Sequence, residues 1–275
     1  MNGTNLFNNL KKRVPIAIIL LTIAYLAIMY LPDLFFFLLL QIVIILCLRE
    51  FYSLSKIKKF NPSFLLGALV SILLAFEIYT KFFSWDFLLF ILILIISFYF
   101  LISTNSKEKL PDFFPNISIT LFGIFYISFT LNFLFYLKII SPLLILFLLL
   151  VIYLGDTGAY FIGYLFGNRK IFPIASPNKT LEGFFGGIVF SLLGGIIGYY
   201  AIIPGFPYEK ILLTSILLSL VAQLSDPFES LFKRASEVKN SSSLLGEHGG
   251  ILDRLDSLIF SSPFFYFIIK FYLEK

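Results

Sequence analysis

Three observations place the 275-residue chain among all-α, polytopic membrane proteins. It is 59% hydrophobic by the AVILMFWYC count and 13% charged, against about 45–50% apolar and about 25% charged residues in ordinary soluble domains. Its mean hydropathy is +0.95. From Val14 to the C-terminus, apolar runs of bilayer-spanning length, about 20 residues, follow one another. These runs are apolar on every side, whereas a transmembrane β-barrel alternates apolar and polar residues over segments of about ten. A soluble globular domain and a barrel are both excluded.

Lys11, Lys12 and Arg13 precede the first run as they would in a signal peptide, but no small-residue cleavage site follows Tyr30 to Asp33. Segment 14–31 is therefore read as a retained helix. Charge, proline and glycine then bound helices at 34–48, 63–80, 87–103, 115–137, 140–158, 184–203, 211–225 and 256–273, nine in all. With the N-terminus inside, the inner segments hold 16 of the 21 Lys and Arg and the outer segments hold 5. That is the asymmetry of cytoplasmic loops that retain positive charge. It predicts nine spans with a cytoplasmic N-terminus, and it accounts for the +5 net charge without nucleic acid.

The chain divides into residues 1–139, about five transmembrane helices filled by Phe and Leu, and residues 140–275, the expected catalytic region. Eight of the 16 carboxylates lie in stretches 156–182 and 226–256, inside polar segments 155–183 and 225–256 that the layout turns toward the cytoplasm, at the membrane edge. Glu77 is the main isolated acid. Cys47 is the single cysteine and His248 the single histidine, so disulfide frameworks and His/Cys zinc sites are excluded within one chain.

Segment 225–256 reads SDPFESLFKRASEVKNSSSLLGEHGGILDRLD. Asp226, Pro227 and Glu229 have the form of a helix start, with Asp as cap, Pro in the first turn and Glu at the third position. Asp226, Glu229, Ser230, Lys233 and Arg234 recur at helical spacing and share a face. Gly249 and Gly250 permit close backbone approach and could offer N–H groups to phosphate. Asp253 and Asp256 share one face of the last helix with Arg254 between them, and carboxylates at a bilayer rim point to function unless a partner is evident. Such a mixture suits a magnesium–phosphate complex, since Mg²⁺ takes oxygen ligands from one or two carboxylates plus substrate phosphates. The bases would neutralise the remaining phosphate charge. No Walker A or dinucleotide-binding glycine pattern is present.

The second segment, from Gly155 to Gly187, puts Asp156 at the end of an apolar helix beside a small-residue packing surface. Ser176, Pro177, Asn178, Lys179, Thr180 and Glu182 could start the next helix, where a Lys with hydroxyl and amide donors forms a natural anion site.

Ser230, Lys233-Arg234, Lys239, His248-Gly249-Gly250, Asp253-Arg254 and Asp256, with the gaps between them, resemble the motif of the phosphatidate cytidylyltransferases, the CDP-diacylglycerol synthases. The upstream GDTGAY and SPNKTLEG look like other segments of that family, so the resemblance is strong over about residues 150–275. One position departs: the family pattern has Asp after Lys239, where this chain has Asn240.

The resemblance implies that CTP and phosphatidic acid give CDP-diacylglycerol and pyrophosphate in phospholipid biosynthesis, with Mg²⁺ and room for a second metal ion. It assigns Asp226, Asp253, Lys233 and Arg234 to catalysis. Asp226 and Asp253 are the principal metal ligands, and Asp256 and Glu229 are further candidates. Asp156, Lys179, Thr180, Glu182, Ser230, Lys239, His248, Gly249, Gly250 and Arg254 fall to substrate binding. The expected setting is a bacterial plasma membrane, with the site facing the cytoplasm, membrane lipids as neighbours and room for a homodimer. The alternatives are a CTP-dependent kinase of a lipid alcohol, which releases CDP instead of pyrophosphate, and a transporter, whose polar groups tend to lie near the bilayer midplane.

Overall fold

A computed structural model describes residues 18–204, 206–246 and 249–273. Helix α1 is Ile18–Tyr30. It is followed by α2 (Asp33–Ile57), α3 (Phe64–Thr80), α4 (Trp85–Ser103), α5 (Phe113–Gly123), a π-helical stretch (Ile124–Phe129), α6 (Phe133–Ile140) and α7 (Pro142–Phe166). Strands β1 (Lys170–Phe172) and β2 (Ser176–Thr180) precede α8 (Leu181–Ala201), α9 (Tyr208–Ala235) and α10 (Leu252–Leu273). Among the described residues six helices are long and apolar enough to cross a membrane, counting Phe113–Ile140 as one, and α1 and α3 are shorter apolar helices. The all-α, polytopic membrane class holds.

Local chemistry sets several boundaries. Ser63, Ser84, Ser141 and Thr180 accept backbone N–H groups at the starts of α3, α4, α7 and α8, as capping hydroxyls do. The isolated Glu77 is explained by its Oε2, which accepts from Phe83 N at 2.7 Å and secures the turn between α3 and α4. At the same end of the bundle Lys138 reaches the last carbonyls of α1, donating to Leu31 O at 2.6 Å and Ile28 O at 3.0 Å. A cation there satisfies carbonyls that have no partner within the helix.

Several expected boundaries are corrected. Helix α2 continues nine residues past Leu48, because Glu50 is buried with partners supplied by distant parts of the chain. The segment predicted over 140–158 runs on to Phe166, so Asp156 lies inside a helix instead of at its end. Asp226 does not start a helix: α9 is continuous from Tyr208 to Ala235 with Pro227 in its interior. Proline lacks an N–H, so the Gln223 carbonyl loses its usual i+4 donor, yet the helix continues past it. Lys179 and Thr180 lie on the second strand of a short antiparallel hairpin, with Lys170 opposite Thr180 and Phe172 opposite Ser176, and not on a helix.

Close helix approach in the C-terminal half depends on glycine. A Cβ on Gly158 of α7 would lie 2.3 Å from Phe190 of α8, and one on Gly195 of α8 would lie 1.9 Å from Ser215 Oγ of α9. The small-residue stretch around Gly155 and Gly158 is thus a packing surface, as its composition suggested. Aromatic rings join the two halves. The π-helical turn carries Tyr126 into contact with Phe228, Phe232 and Phe260, at centroid distances of 5.6, 5.8 and 5.6 Å.

Candidate active site

Helices α7, α9 and α10 and the hairpin enclose one end of a cavity of about 1620 Å³. Its polar end is lined by Asp156, Lys170, Asn178, Lys179, Thr180, Gln223, Asp226, Asp253, Arg254 and Asp256. Its other walls are apolar, built from residues such as Ile23, Phe36, Leu40, Leu146 and Leu149 of α1, α2 and α7. Asp156 precedes the end of α7 by ten residues and Asp226 precedes the end of α9 by nine. At 1.5 Å per residue both lie about 15 Å along their helices from those ends. Asp253 and Asp256 lie in the first two turns of α10, and all four carboxylates line the same cavity.

Within this frame the charges are paired. Lys179 Nζ meets Asp226 Oδ2 at 2.7 Å, with both side chains about one-third exposed to the cavity. Ser230 Oγ donates to Asp226 Oδ1 over a long 3.4 Å. One turn on, Lys233 pairs with Glu229 and donates to Asp253 Oδ1 at 2.8 Å. Glu229 is fully buried, and apart from Lys233 its oxygens have no hydrogen-bond partner among the described residues. The other oxygen of Asp253, Oδ2, accepts from Gly250 N at 2.8 Å, Ser241 N at 2.9 Å and Ser241 Oγ at 3.0 Å. Asp256 Oδ1 accepts from Ser257 N at 2.7 Å, and Ser225 Oγ donates to the Asp256 carbonyl.

Seven expected site residues, Asp156, Lys179, Thr180, Asp226, Asp253, Arg254 and Asp256, thus line one cavity. Glu229, Ser230 and Lys233 lie beneath it as a buried polar layer of α9. Others have local structural partners. Arg234 donates to Val238 O at 3.2 Å at the end of α9, and Glu182 Oε2 accepts from Asn168 N at 2.9 Å and Arg169 N at 3.3 Å. Thr180 lines the cavity and also caps α8 through Gly183 N. Gly249 has φ +82°, a left-handed backbone that favours glycine. Its N–H is bonded to Gly246 O and that of Gly250 to Asp253, so both serve the loop in this structure. Lys239 and Asn240 are exposed, with Asn240 packed beside Gly249. His248 lies outside the described residues.

Asn178, named in the sequence as part of an anion site, also lines the cavity, and Lys170 and Gln223 join it without having been singled out. Lys170 belongs to the polar segment already marked, and Gln223 is the one amide in the apolar run of α9. Glu50 has no local signal at all. It lies on α2 in the Phe- and Leu-filled half, yet its side chain meets the 241–252 loop.

The donors in the cavity are oxygens of carboxylates, amides and hydroxyls, a set that suits a hard cation such as Mg²⁺. Among the described residues no group of three His, Cys, Asp or Glu is placed to hold a metal ion alone. Such a cation would need oxygens from a bound phosphate to complete its shell, which is how Mg²⁺ is ordinarily held.

Comparison with known proteins gives this chemistry a family. Residues 11–272 match the profile of the Cytidylyltransferase family. A phosphatidate cytidylyltransferase of Bacillus subtilis is 49% identical over 123 residues, which cover 44% of this chain and 45% of the relative. Those of Staphylococcus haemolyticus and Staphylococcus aureus are 47% and 44% identical over 119 residues, in each case 43% of this chain and 46% of the relative. The matched stretch therefore spans about half the length of these relatives. With 262 consecutive positions matching the family profile and the acidic and basic residues gathered at one cavity, the chain belongs to the cytidylyltransferase family.

Proposed function

We propose that this chain transfers the cytidylyl group of CTP to phosphatidic acid, giving CDP-diacylglycerol and pyrophosphate. The observation that carries the reading is the two-part cavity, which has charged and amide groups at one end and an apolar wall at the other. A two-chain anionic lipid has the same division. The names of the relatives favour this substrate pair. Family membership favours nucleotide chemistry over transport.

In the proposed reaction a phosphate oxygen of the lipid attacks the α-phosphorus of CTP. A P–O bond forms there, the bond to the β-phosphate oxygen breaks, and pyrophosphate leaves. The nucleophile is already ionised near neutral pH, so alignment and charge neutralisation do most of the work. Lys179 and Arg254, with Lys170 beside them, are placed to meet phosphate oxygens. Asp226 and Asp253, with Asp256 and Glu229 as further candidates, are the carboxylates proposed for Mg²⁺, with phosphate oxygens of the substrate completing its shell, and Asp156 is assigned to substrate binding. When bound, the ion would supply Lewis-acid stabilisation of phosphoryl oxygens, and room for a second ion is part of the proposal. Lys233 holds Asp253 and Glu229 in place below. The site would face the cytoplasm of a bacterial cell, where CTP is found, in a nine-span arrangement with the N-terminus inside.

The test is Mg²⁺-dependent release of pyrophosphate from CTP by detergent-purified protein, with and without phosphatidic acid, beside Asp226→Asn and Asp253→Asn. Lipid-dependent release in the wild type, lost by at least about a hundredfold in Asp226→Asn, is expected. Release of CDP instead identifies a kinase, and absence of turnover by folded, CTP-binding protein overturns the reading.

A further inference from the structure

The start of α10 poses a capping problem that its own sequence does not solve. The first N–H groups of a helix have no partner within it and are usually met by a Ser, Thr, Asp or Asn just before the helix. Here the preceding residues are Gly249, Gly250 and Ile251, which carry no such oxygen. The acceptor comes from a helix about 200 residues away in sequence. Glu50 Oε1 accepts from Ile251 N at 3.0 Å, and Oε2 accepts from Leu252 N at 2.9 Å. The same two oxygens receive Ser242 Oγ at 2.7 Å and Ser241 Oγ at 2.8 Å.

Glu50 is 5% exposed, and burying a carboxylate is costly unless donors surround it. Four donors and the positive end of α10 do so. Gly250 makes the approach feasible, because a Cβ there would lie 2.1 Å from Ser241 Oγ and 2.3 Å from Glu50 Oε2. Ser241 is the bridge to the cavity: its single hydroxyl is 2.8 Å from Glu50 Oε2 and 3.0 Å from Asp253 Oδ2. A hydroxyl has one hydrogen to donate, so the two carboxylates share it.

We propose that Glu50 is a positioning residue that holds the 241–252 loop and the first turn of α10, and through them Asp253, Arg254 and Asp256, in register with α9. This rests on the reading of those three residues as part of the active site. Without Glu50 the loop loses both its anchor to α2 and the cap of α10, and the Lys233–Asp253 pair loses its fixed partner.

Two measurements on the full-length purified protein test this. Glu50→Gln keeps the size of the side chain but turns an amide N–H₂ toward groups that are themselves donors. It is expected to lower Mg²⁺- and lipid-dependent turnover about 10- to 100-fold, the usual effect of losing a residue that supports a site. Combining it with Ser241→Ala should cost no more than the worse single change, because both break one link. The second measurement is independent of turnover: tryptic cleavage after exposed Lys239 should be roughly tenfold faster or more in Glu50→Gln. Cys47→Ala, a buried change one turn earlier on α2, should leave that rate at the wild-type value. Unchanged cleavage in Glu50→Gln, equal acceleration in Cys47→Ala, or additive losses with Ser241→Ala would overturn the proposal. A wild type with no turnover of CTP would refute the proposed reaction, while the cleavage rates would still decide whether Glu50 holds the loop.

Discussion

The two halves of the molecule use their polar groups in different ways. In the N-terminal half the buried ones are mostly neutral and satisfied within that half. Gln41 Nε2 donates to Asn132 Oδ1 at 2.8 Å, Asn132 Nδ2 donates to Ser128 O at 2.7 Å, and Tyr52 Oη donates to Thr120 O at 2.7 Å. The C-terminal half also buries mainly neutral hydroxyls, and it adds charged groups, gathered from three helices and a hairpin, that open onto a cavity. In a medium without water, neutral closed networks hold helices together. Charges kept at an opening are the ones proposed to meet a ligand. Glu50 is the exception, an N-terminal residue whose partners are all C-terminal.

Removing the cation at the centre of the buried layer gives the sharpest break in this contrast. Lys233→Met leaves Glu229, whose side chain is 1% exposed, without its ionic partner. Breaking such a pair costs about 3–5 kcal/mol. A lowered thermal midpoint and loss of turnover are expected, and adding Glu229→Leu should restore the midpoint without restoring turnover. Recovery of activity in the double variant would show that the layer is only structural.

Next in size are two glycine changes. Gly158→Ala puts a methyl 2.3 Å from Phe190 and must displace α7, and with it Asp156, from α8. Gly67→Ala puts one 2.6 Å from Tyr52 Oη in the other half. Overpacking of this kind costs about 1–3 kcal/mol. Both should lower the thermal midpoint, but only Gly158→Ala should lower kcat. Asn132→Ala, which leaves the Gln41 amide without its acceptor, should cost about 1–3 kcal/mol of stability with kcat retained. Loss of turnover in Asn132→Ala would mean that the halves do not divide their labour.

The smallest effect belongs to the exposed pair of Lys58 and Glu237, which ties the end of α2 to the turn after α9. The hydrogen bond and charge of Lys58 hold the Glu237 carboxyl below its ordinary range. A carboxylate with a depressed folded pKa stabilises above its unfolded value, and that contribution fades as pH falls through the folded value. Lys58→Ala should therefore slightly reduce the loss of thermal midpoint between pH 7 and acid. An unchanged pH profile would show that solvent already screens the pair.

Much of this was legible without coordinates. Apolar runs dictate membrane helices because a bilayer leaves the backbone no other partners, and each of the nine predicted segments overlaps a helix in its described part, six of the helices being long and apolar enough to span. The clustering of Asp226, Asp253, Asp256 and Lys179 follows from charges too costly to scatter through hydrocarbon. Helix ends were less legible, because charge and proline were read as breaks. Arg49-Glu50, Asp156 and Asp226-Pro227 all sit inside continuous helices. A charged residue ends a helix in a membrane only when nothing across the bundle satisfies it, and that depends on distant residues.

Class, candidate chemistry and the residues that carry it were determined by the sequence alone, since composition and motif spacing are local properties. The convergence of the carboxylates on one cavity, the hairpin that brings Lys179 to Asp226, and the reach of Glu50 to Ile251 and Leu252 were decided only in the tertiary structure. Each is a contact between residues far apart in the chain. Its free energy comes from completing a polar group's partners where water cannot, and nothing local in the sequence records which distant group will do so.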